Sequence, residues 1–346
     1  VLAVAIEVGM VMLVVGLTTG LLRESAKRVE GVGADILVQP PGASFFFGLT
    51  QAPMPAKIGQ RLKEIPRVVA VAPTLFQFHS SGGLNLIYGI EVESFDRVTG
   101  GFVYHEGGPF EQSYDVLVDD WYAKANRIQM GQTLNLLNHD FRVVGIVEHG
   151  KGARLFIPLR TAEELSGAYD KASIFFVKCS DPAYADQVIA AIHKLLPRYQ
   201  ILSVREYMSL MTSHNLPALE AFITVMILVA VGIGFLVIFL SMYTTITERT
   251  REIGILKSLG ASKAYIIEAI LHEASVICLI GILAGYIGTL AARKVIVATF
   301  PTISIDLTIE WAGWAALLAL GGSLIGAFYP ALRAAQLDPV DALAYE

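Results

Sequence analysis

Residues 221–247 run for 27 positions without a charge, and the same holds for the 19 residues 274–292 and the 22 residues 311–332. A helix needs roughly 20 predominantly apolar residues to cross a bilayer core. In lipid the backbone must satisfy its own hydrogen bonds, so each stretch predicts a membrane-spanning helix. A fourth apolar run covers residues 1–22 and is broken only by Glu7. It is longer than a signal-peptide core and has no small-residue cleavage signature behind it, so an uncleaved span is expected. The composition agrees, with 54% hydrophobic and 16% charged residues and a mean hydropathy of +0.56, too apolar for an ordinary soluble protein.

Several function classes are excluded at this stage. A net charge of -5 without a sustained basic stripe argues against nucleic acid as a partner. The two cysteines, Cys179 and Cys278, fall in different environments, so neither a disulfide between them nor metal ligation is expected. No HExxH, GxSxG, paired CxxC or EF-hand loop occurs, and the histidines are scattered. His79 with Ser80 and Ser81 reads as a solvated loop, since no acid is placed beside it. The run from Gly145 to Gly152 approaches P-loop spacing, but Gly152 stands where a hydroxyl must reach magnesium. No catalytic, metal or cofactor site is therefore expected in this chain.

Between the first two spans, residues 23–215 alternate short apolar strands with helical patterns. Strands are predicted over 35–39, 68–73, 84–90, 116–118, 133–137, 141–147, 154–158 and 173–179, and helices over 57–65 and 183–196. This is an α+β domain large enough for a sizeable core, in two lobes with a boundary near 84–118. Phe45, Phe46 and Phe47 sit between turn residues. They read either as a contact for lipid or an outer partner or, preferably, as a plug in a groove of their own domain. The expected fold class is thus an α-helical membrane protein with four transmembrane helices and a large extracytoplasmic α+β domain inserted between helices 1 and 2. Its segments are span 1–22, domain 23–215, span 216–247, loop 248–263, span 264–292, loop 293–310, span 311–332 and tail 333–346.

Sidedness follows from the short loops. Arg249, Arg251, Lys257 and Lys263 lie between spans two and three and Arg333 in the tail, against Arg293 and Lys294 between spans three and four. This bias places loop 248–263 and the chain ends in the cytoplasm and the domain outside. Glu268, His272 and Ser275 fall at i, i+4 and i+7 with Glu273 beside them. Ionisable groups in a span suggest a proton or substrate path, but these sit near the boundary. An interfacial role, paired with Arg249, Arg251 or Lys263, is the better reading, and Glu7 shares the ambiguity. Gly281, Gly285 and Gly288, with Gly322 and Gly326, permit close helix approach, within one bundle or at a dimer seam.

Three segments then combine. ERTREIGILKSLGASKAYI (248–267), LHEASVICLIGILAGYIG (271–288) and YPALRAAQLDPVDALAYE (329–346) resemble the permease domain shared by the bacterial cell-division permease, the macrolide exporter and the lipoprotein-release permeases. DVLVDDWYAKANRIQMGQTLNLLNHDFRVVGIVE (115–148) resembles the periplasmic core domain of the same ABC transporter group. The resemblance implies a type VII ABC transporter permease of the bacterial inner membrane, acting as a dimer with a second copy or a paralogue. It implies a coupling helix on a cytoplasmic ATPase, carried here by Arg251, Glu252, Ile253, Leu256, Lys257 and Leu259, with Gly260 as C-cap glycine. Ile253 with Leu256, and Ile255 with Leu259, are expected to supply the apolar contacts. The chain shows no Walker motif, so ATP and Mg are expected in a separate subunit. A periplasmic adaptor, an outer-membrane tunnel and membrane lipid are the further implied partners. The implied role is mechanotransmission driving export of a hydrophobic or amphipathic substrate. The alternatives are lipoprotein release, or signalling to cell-wall hydrolases.

Overall fold

The structure, a computed structural model, describes residues 1–42, 53–79, 85–211, 215–300 and 302–338. Phe45, Phe46, Phe47, Ser80 and Ser81 lie outside the described residues. The helices are α1 (Leu2–Gly31), α2 (Lys57–Lys63), α3 (Val92–Thr99), α4 (Asp120–Asn126), α5 (Leu159–Ser166), α6 (Ala185–Leu195), α7 (Val204–Leu210), α8 (Pro217–Glu248), α9 (Thr250–Ser258), α10 (Lys263–Thr299) and α11 (Ile309–Gln336). The strands are β1 (Ile36–Gln39), β2 (Met54–Pro55), β3 (Val68–His79), β4 (Asn85–Ile90), β5 (Tyr104–Gly107), β6 (Asp115–Asp119), β7 (Thr133–Leu136), β8 (His139–Val147), β9 (Leu155–Pro158), β10 (Lys171–Ala172), β11 (Ile174–Cys179) and β12 (Gln200–Ser203). The chain divides into a helical unit, Val1–Gly20 with Leu216–Ala298 and Ile303–Glu346, and a globular unit, Leu21–Asn215 with Thr299–Thr302.

Helices α1, α8, α10 and α11 are long and apolar enough to cross a membrane. All four outrun the charge-free windows, α1 and α10 furthest. α1 continues past Leu22 through Arg23, Glu24, Lys27 and Arg28, and α10 past Ala292 through Arg293 and Lys294. Arg, Glu and Lys are good helix formers, so a change of polarity does not end a helix where no breaker stands. α1 stops only where Gly31 and Gly33 occur together. The buried interior of the helical unit takes Val4 and Val8 from α1, Ile238 and Met242 from α8, and Ala274 and Cys278 from α10. On α11, Ala315, Ala319, Ser323, Ala327, Ala331 and Ala335 recur every fourth residue, and all are buried. They form an i±4 ridge of small side chains, which lets helices approach closely.

The globular unit is built on one ten-stranded sheet in the order β12-β1-β11-β3-β4-β9-β6-β8-β5, with β7 paired to β8. The pairs β4–β9 and β6–β8 are parallel and the others antiparallel. β11 reads as a continuous apolar run because both its faces are covered. Phe175 joins Ile36, Val177 and Ile192 in one core, while Phe176 meets Phe95 of α3 edge to face at 6.3 Å. A second core gathers Ile87, Val118, Phe141 and Leu155.

The two expected lobes are not separated by a break in the sheet. β3 is longer than predicted and bridges them, with Val71 in the first core and Leu75 in the second. His79 accordingly closes a strand rather than lying in a loop, and its Nδ1 accepts the Leu137 N–H at 3.3 Å. The near P-loop run ends β8 and turns into strand β9, with no helix N-terminus for a phosphate, and Lys151 donates to the Thr99 carbonyl at 2.7 Å.

Phe156 sits at the centre of the aromatic layer, 4.9 Å from Phe102 and 6.1 Å from both Phe95 and Tyr88. Its replacement by alanine is expected to destabilise this unit by about 3–5 kcal/mol. Val69→Ala, at a side chain 65% exposed on β3, is expected to stay within about 0.5 kcal/mol. Urea unfolding of the full chain followed by tyrosine fluorescence distinguishes the two, and equal effects would contradict the packing described.

Candidate functional site

One residue, Arg249, separates α8 from α9, and its φ of -100° and ψ of 15° break the helical path. Its guanidinium crosses to α10 and meets Glu273 Oε1 at 3.3 Å. Thr250 returns its hydroxyl to the Thr247 carbonyl at 2.9 Å, satisfying one acceptor at the end of α8. Chain connectivity and one ion pair therefore hold the start of α9. Its end is closed by a Schellman motif. The Ala261 N–H donates to the Leu256 carbonyl and the Gly260 N–H to the Lys257 carbonyl, both at 3.0 Å. Gly260 has φ +96°, the left-handed conformation that this motif demands and that glycine adopts without cost.

Lys257 does not point outward as a docking charge. Its Nζ donates to the Ala335 carbonyl at 3.0 Å and to the Leu337 carbonyl, so it caps the C-terminus of α11. A cation there meets the negative end of the helix dipole and orphan carbonyls. Ile253 also departs from expectation. It is only 8% exposed and packs in the interior of the helical unit. The exposed apolar side chains are Ile255 at 45%, Leu256 at 43% and Leu259 at 81%. Arg251 and Glu252 are exposed as well. The exposed charged and apolar side chains of α9 and its C-cap are thus Arg251, Glu252, Ile255, Leu256 and Leu259, with Ile253 and Lys257 as anchors.

The glycines divide by neighbour. A Cβ on Gly281 would lie 2.7 Å from Val4 Cβ, and one on Gly285 would lie 2.9 Å from the Ala5 carbonyl oxygen, so α1 crosses α10 at this pair. A Cβ on Gly326 would lie 2.9 Å from the Phe235 carbonyl oxygen, and one on Gly322 would lie 3.4 Å from Val231, which places α8 against α11. Gly288 faces open space.

The ionisable groups of the spans also separate. Glu268 and His272 lie 3.8 Å apart with 72% and 77% of their side chains exposed. Glu7 is buried, with its carboxylate in the space a side chain at Gly234 would fill, and its Oε1 has no hydrogen-bond partner. Among the described residues no group of three or more His, Cys, Asp or Glu is arranged to hold a metal ion. Cys179 and Cys278 are both free.

The crossing of α1 and α10 can be checked directly. Alanine is favoured over glycine in a helix by about 1 kcal/mol, so Gly288→Ala is expected to leave stability unchanged or raise it. Gly285→Ala must displace a backbone carbonyl and is expected to cost about 1–3 kcal/mol. Thermal unfolding in detergent measures both, and a stabilising Gly285→Ala would refute the close approach.

Comparison with known proteins bears on this arrangement. A family model described as the MacB-like periplasmic core domain matches residues 1–195, and one described as the FtsX-like permease C-terminal matches residues 224–339. The chain is 28% identical to the macrolide export ATP-binding/permease protein MacB of Marinobacter nauticus, over 100% of this chain and 58% of that protein. It is 31% identical to the pyoverdine export ATP-binding/permease protein PvdT of Pseudomonas syringae pv. tomato, over 63% of this chain and 35% of that protein. The crystal structure of the periplasmic region of MacB from Actinobacillus actinomycetemcomitans aligns with 51% of this chain and 92% of its own length, at 17% identity and a TM-score of 0.40. The chain spans between about a third and three-fifths of the length of these two curated relatives.

Proposed function

The chain belongs to the FtsX-like permeases with a MacB-like periplasmic core domain, and from that membership we propose a mechanotransmission exporter of the bacterial inner membrane. Nucleotide-driven movement of an ATP-binding unit is received by α9, passed to the spans, and converted into movement of the globular unit outside the membrane. The observation that carries this reading is the exposed apolar trio Ile255, Leu256 and Leu259 on a helix whose opposite side is anchored. An apolar patch of this kind next to the charged Arg251 and Glu252 suits a protein partner.

ATP and Mg belong in this proposal to an ATP-binding unit outside the 346 residues. Both exporter relatives carry "ATP-binding" in their names, and the chain aligns with only 58% and 35% of them. The working form is a dimer with a second copy or a paralogue, since a pair of ATP-binding units needs a pair of docking helices. The cargo is a hydrophobic or amphipathic compound taken up on the outer side. It is handed to a periplasmic adaptor and an outer-membrane tunnel. The sidedness rests on Arg249, Arg251, Lys257 and Lys263 clustering between the second and third spans.

The docking role is tested by Leu256→Asp with Leu259→Asp, at positions whose exposure allows folding to survive. Loss of the apolar contact is expected to weaken binding of the ATP-binding unit at least about tenfold, or 1.4 kcal/mol, and to abolish stimulation of its hydrolysis. Unchanged binding and stimulation would overturn the assignment. Ile253→Asp is expected instead to unfold the helical unit, because it buries an unpaired charge.

A further inference from the structure

Along the seam between α8 and α11 the residues that meet change character. A Cβ on Gly322 would touch Val231, and one on Gly326 would lie 2.9 Å from the Phe235 carbonyl oxygen. One turn further, Phe239 faces Tyr329 at 5.9 Å between ring centroids. Beyond that pair, the Arg333 guanidinium carbon lies 5.7 Å from the centre of the Tyr243 ring, and its Nη1 donates to the Tyr243 hydroxyl at 3.2 Å. The four pairs advance together on both helices, so the two run parallel. Their seam passes from backbone contact to an aromatic surface and then to a basic one.

Packing does not use up this surface. Phe235, Phe239 and Tyr243 recur every fourth residue on α8 and stack in turn at 6.1 and 6.3 Å, within the range of favourable ring pairs. Tyr243 nevertheless stays 39% exposed and Tyr329 56%. Arg333 lies in the last turn of α11 rather than in a tail beyond it, and it is exposed. A cation in that position ordinarily serves the carbonyls of its own helix end. Here Lys257 holds the Ala335 and Leu337 carbonyls, and Arg333 turns to Tyr243 instead. Among the described residues its one hydrogen bond is that to Tyr243, and no carboxylate pairs with it.

Both helices place this surface where apolar sequence gives way to charge. The charge-free run 311–332 ends at the residue before Arg333, and the run 221–247 ends four residues beyond Tyr243, about 6 Å at 1.5 Å per residue. Tyrosine and arginine suit that depth, because a ring or an aliphatic stem stays in apolar surroundings while its polar end reaches water. The anions found at that depth are lipid headgroups. Neighbouring acids do not oppose one. Glu248 follows Tyr243 by five residues, roughly 140° round the helix, and Glu273 is held by Arg249.

We propose that the seam of α8 and α11 binds one anionic phospholipid, its phosphate on Arg333 beside the Tyr243 hydroxyl and an acyl chain along Tyr329, Phe239 and Phe235. The choice of an anionic over a zwitterionic lipid follows from the missing carboxylate. A choline or ethanolamine headgroup carries its own cation, and the surface around Arg333 offers nothing to receive it. The site requires the four apolar helices to lie in a bilayer. It depends neither on docking by α9 nor on export.

The test uses the purified full chain in neutral maltoside detergent, without any ATP-binding unit. Binding of phosphatidylglycerol and phosphatidylcholine with identical acyl chains is followed by native mass spectrometry. The glycerol lipid is expected to bind at least about fivefold tighter. Arg333→Gln should bring it down to the level of the choline lipid, whose own binding stays unchanged. Tyr329→Ala should weaken both lipids alike. Arg293→Gln removes an exposed arginine at the far end of α10 and should leave the preference intact. A thermal melt establishes that each variant is folded, and should Arg333→Gln not fold, Arg333→Met carries the same expectation. Equal binding of the two lipids by the wild type, a preference that survives loss of Arg333, or one lost equally with Arg293→Gln, overturns the site. Displacement of the glycerol lipid by equimolar inorganic phosphate shows recognition of phosphate alone and overturns the lipid assignment as well.

Discussion

Helices in a bilayer gain little from burying apolar side chains against one another, because lipid is already apolar, so their association depends on how closely backbones can meet. In this chain α1 meets α10 at Gly281 and Gly285, and α8 meets α11 at Gly322 and Gly326. The buried ridge from Ala315 to Ala335 serves the same end on α11. The seat of Ile253 and the reach from Lys257 to the end of α11 exist only at such short separations.

Given that packing, the three ties on α9 can be ranked. The Arg249–Glu273 pair is largely exposed, at 53% and 38%, and contributes about 0–1 kcal/mol. Lys257 on the C-terminal carbonyls of α11 contributes about 0.3–1 kcal/mol, more where it is partly buried. Burial of Ile253 is worth about 1.5–3 kcal/mol and outweighs either polar contact. The apolar anchor therefore fixes which side of α9 is inward, and the polar ties link it to particular helices. Arg249 ties it to α10 and Lys257 to α11, while α8 is joined by the chain itself.

The four spans and the inserted sheet domain were legible because long charge-free runs and alternating apolar strands are statements about solvent, which sequence records directly. The misses are local. α3, α4, α5 and α7 have only seven or eight residues, too short for a helical period to stand out. β5 is a polar edge strand, Tyr104–Gly107, whose partner β8 supplies the pattern instead. The overrun of α1 and α10 was missed for another reason. Charge marks where an apolar run ends, whereas only glycine, proline or a cap marks where a helix ends.

The direction of α9 shows most plainly what one-dimensional pattern cannot carry. Its apolar residues, Ile253, Ile255, Leu256 and Leu259, surround the helix rather than lining one side, so periodicity alone allows several inward faces. The choice is made by residues distant in sequence, since Thr250, Ile253 and Gly254 are buried while Ile255 and Leu256 remain exposed. The same holds for Lys257, whose charge reads as a docking group until the carbonyls of Ala335 and Leu337 come within its reach. A basic, apolar, glycine-ended segment between two spans is thus recognisable from its composition as a candidate contact helix. Which of its residues stay exposed is a property of the bundle: Ile253 is buried and Lys257 is turned onto the end of α11, while Leu256 and Leu259 remain on the surface.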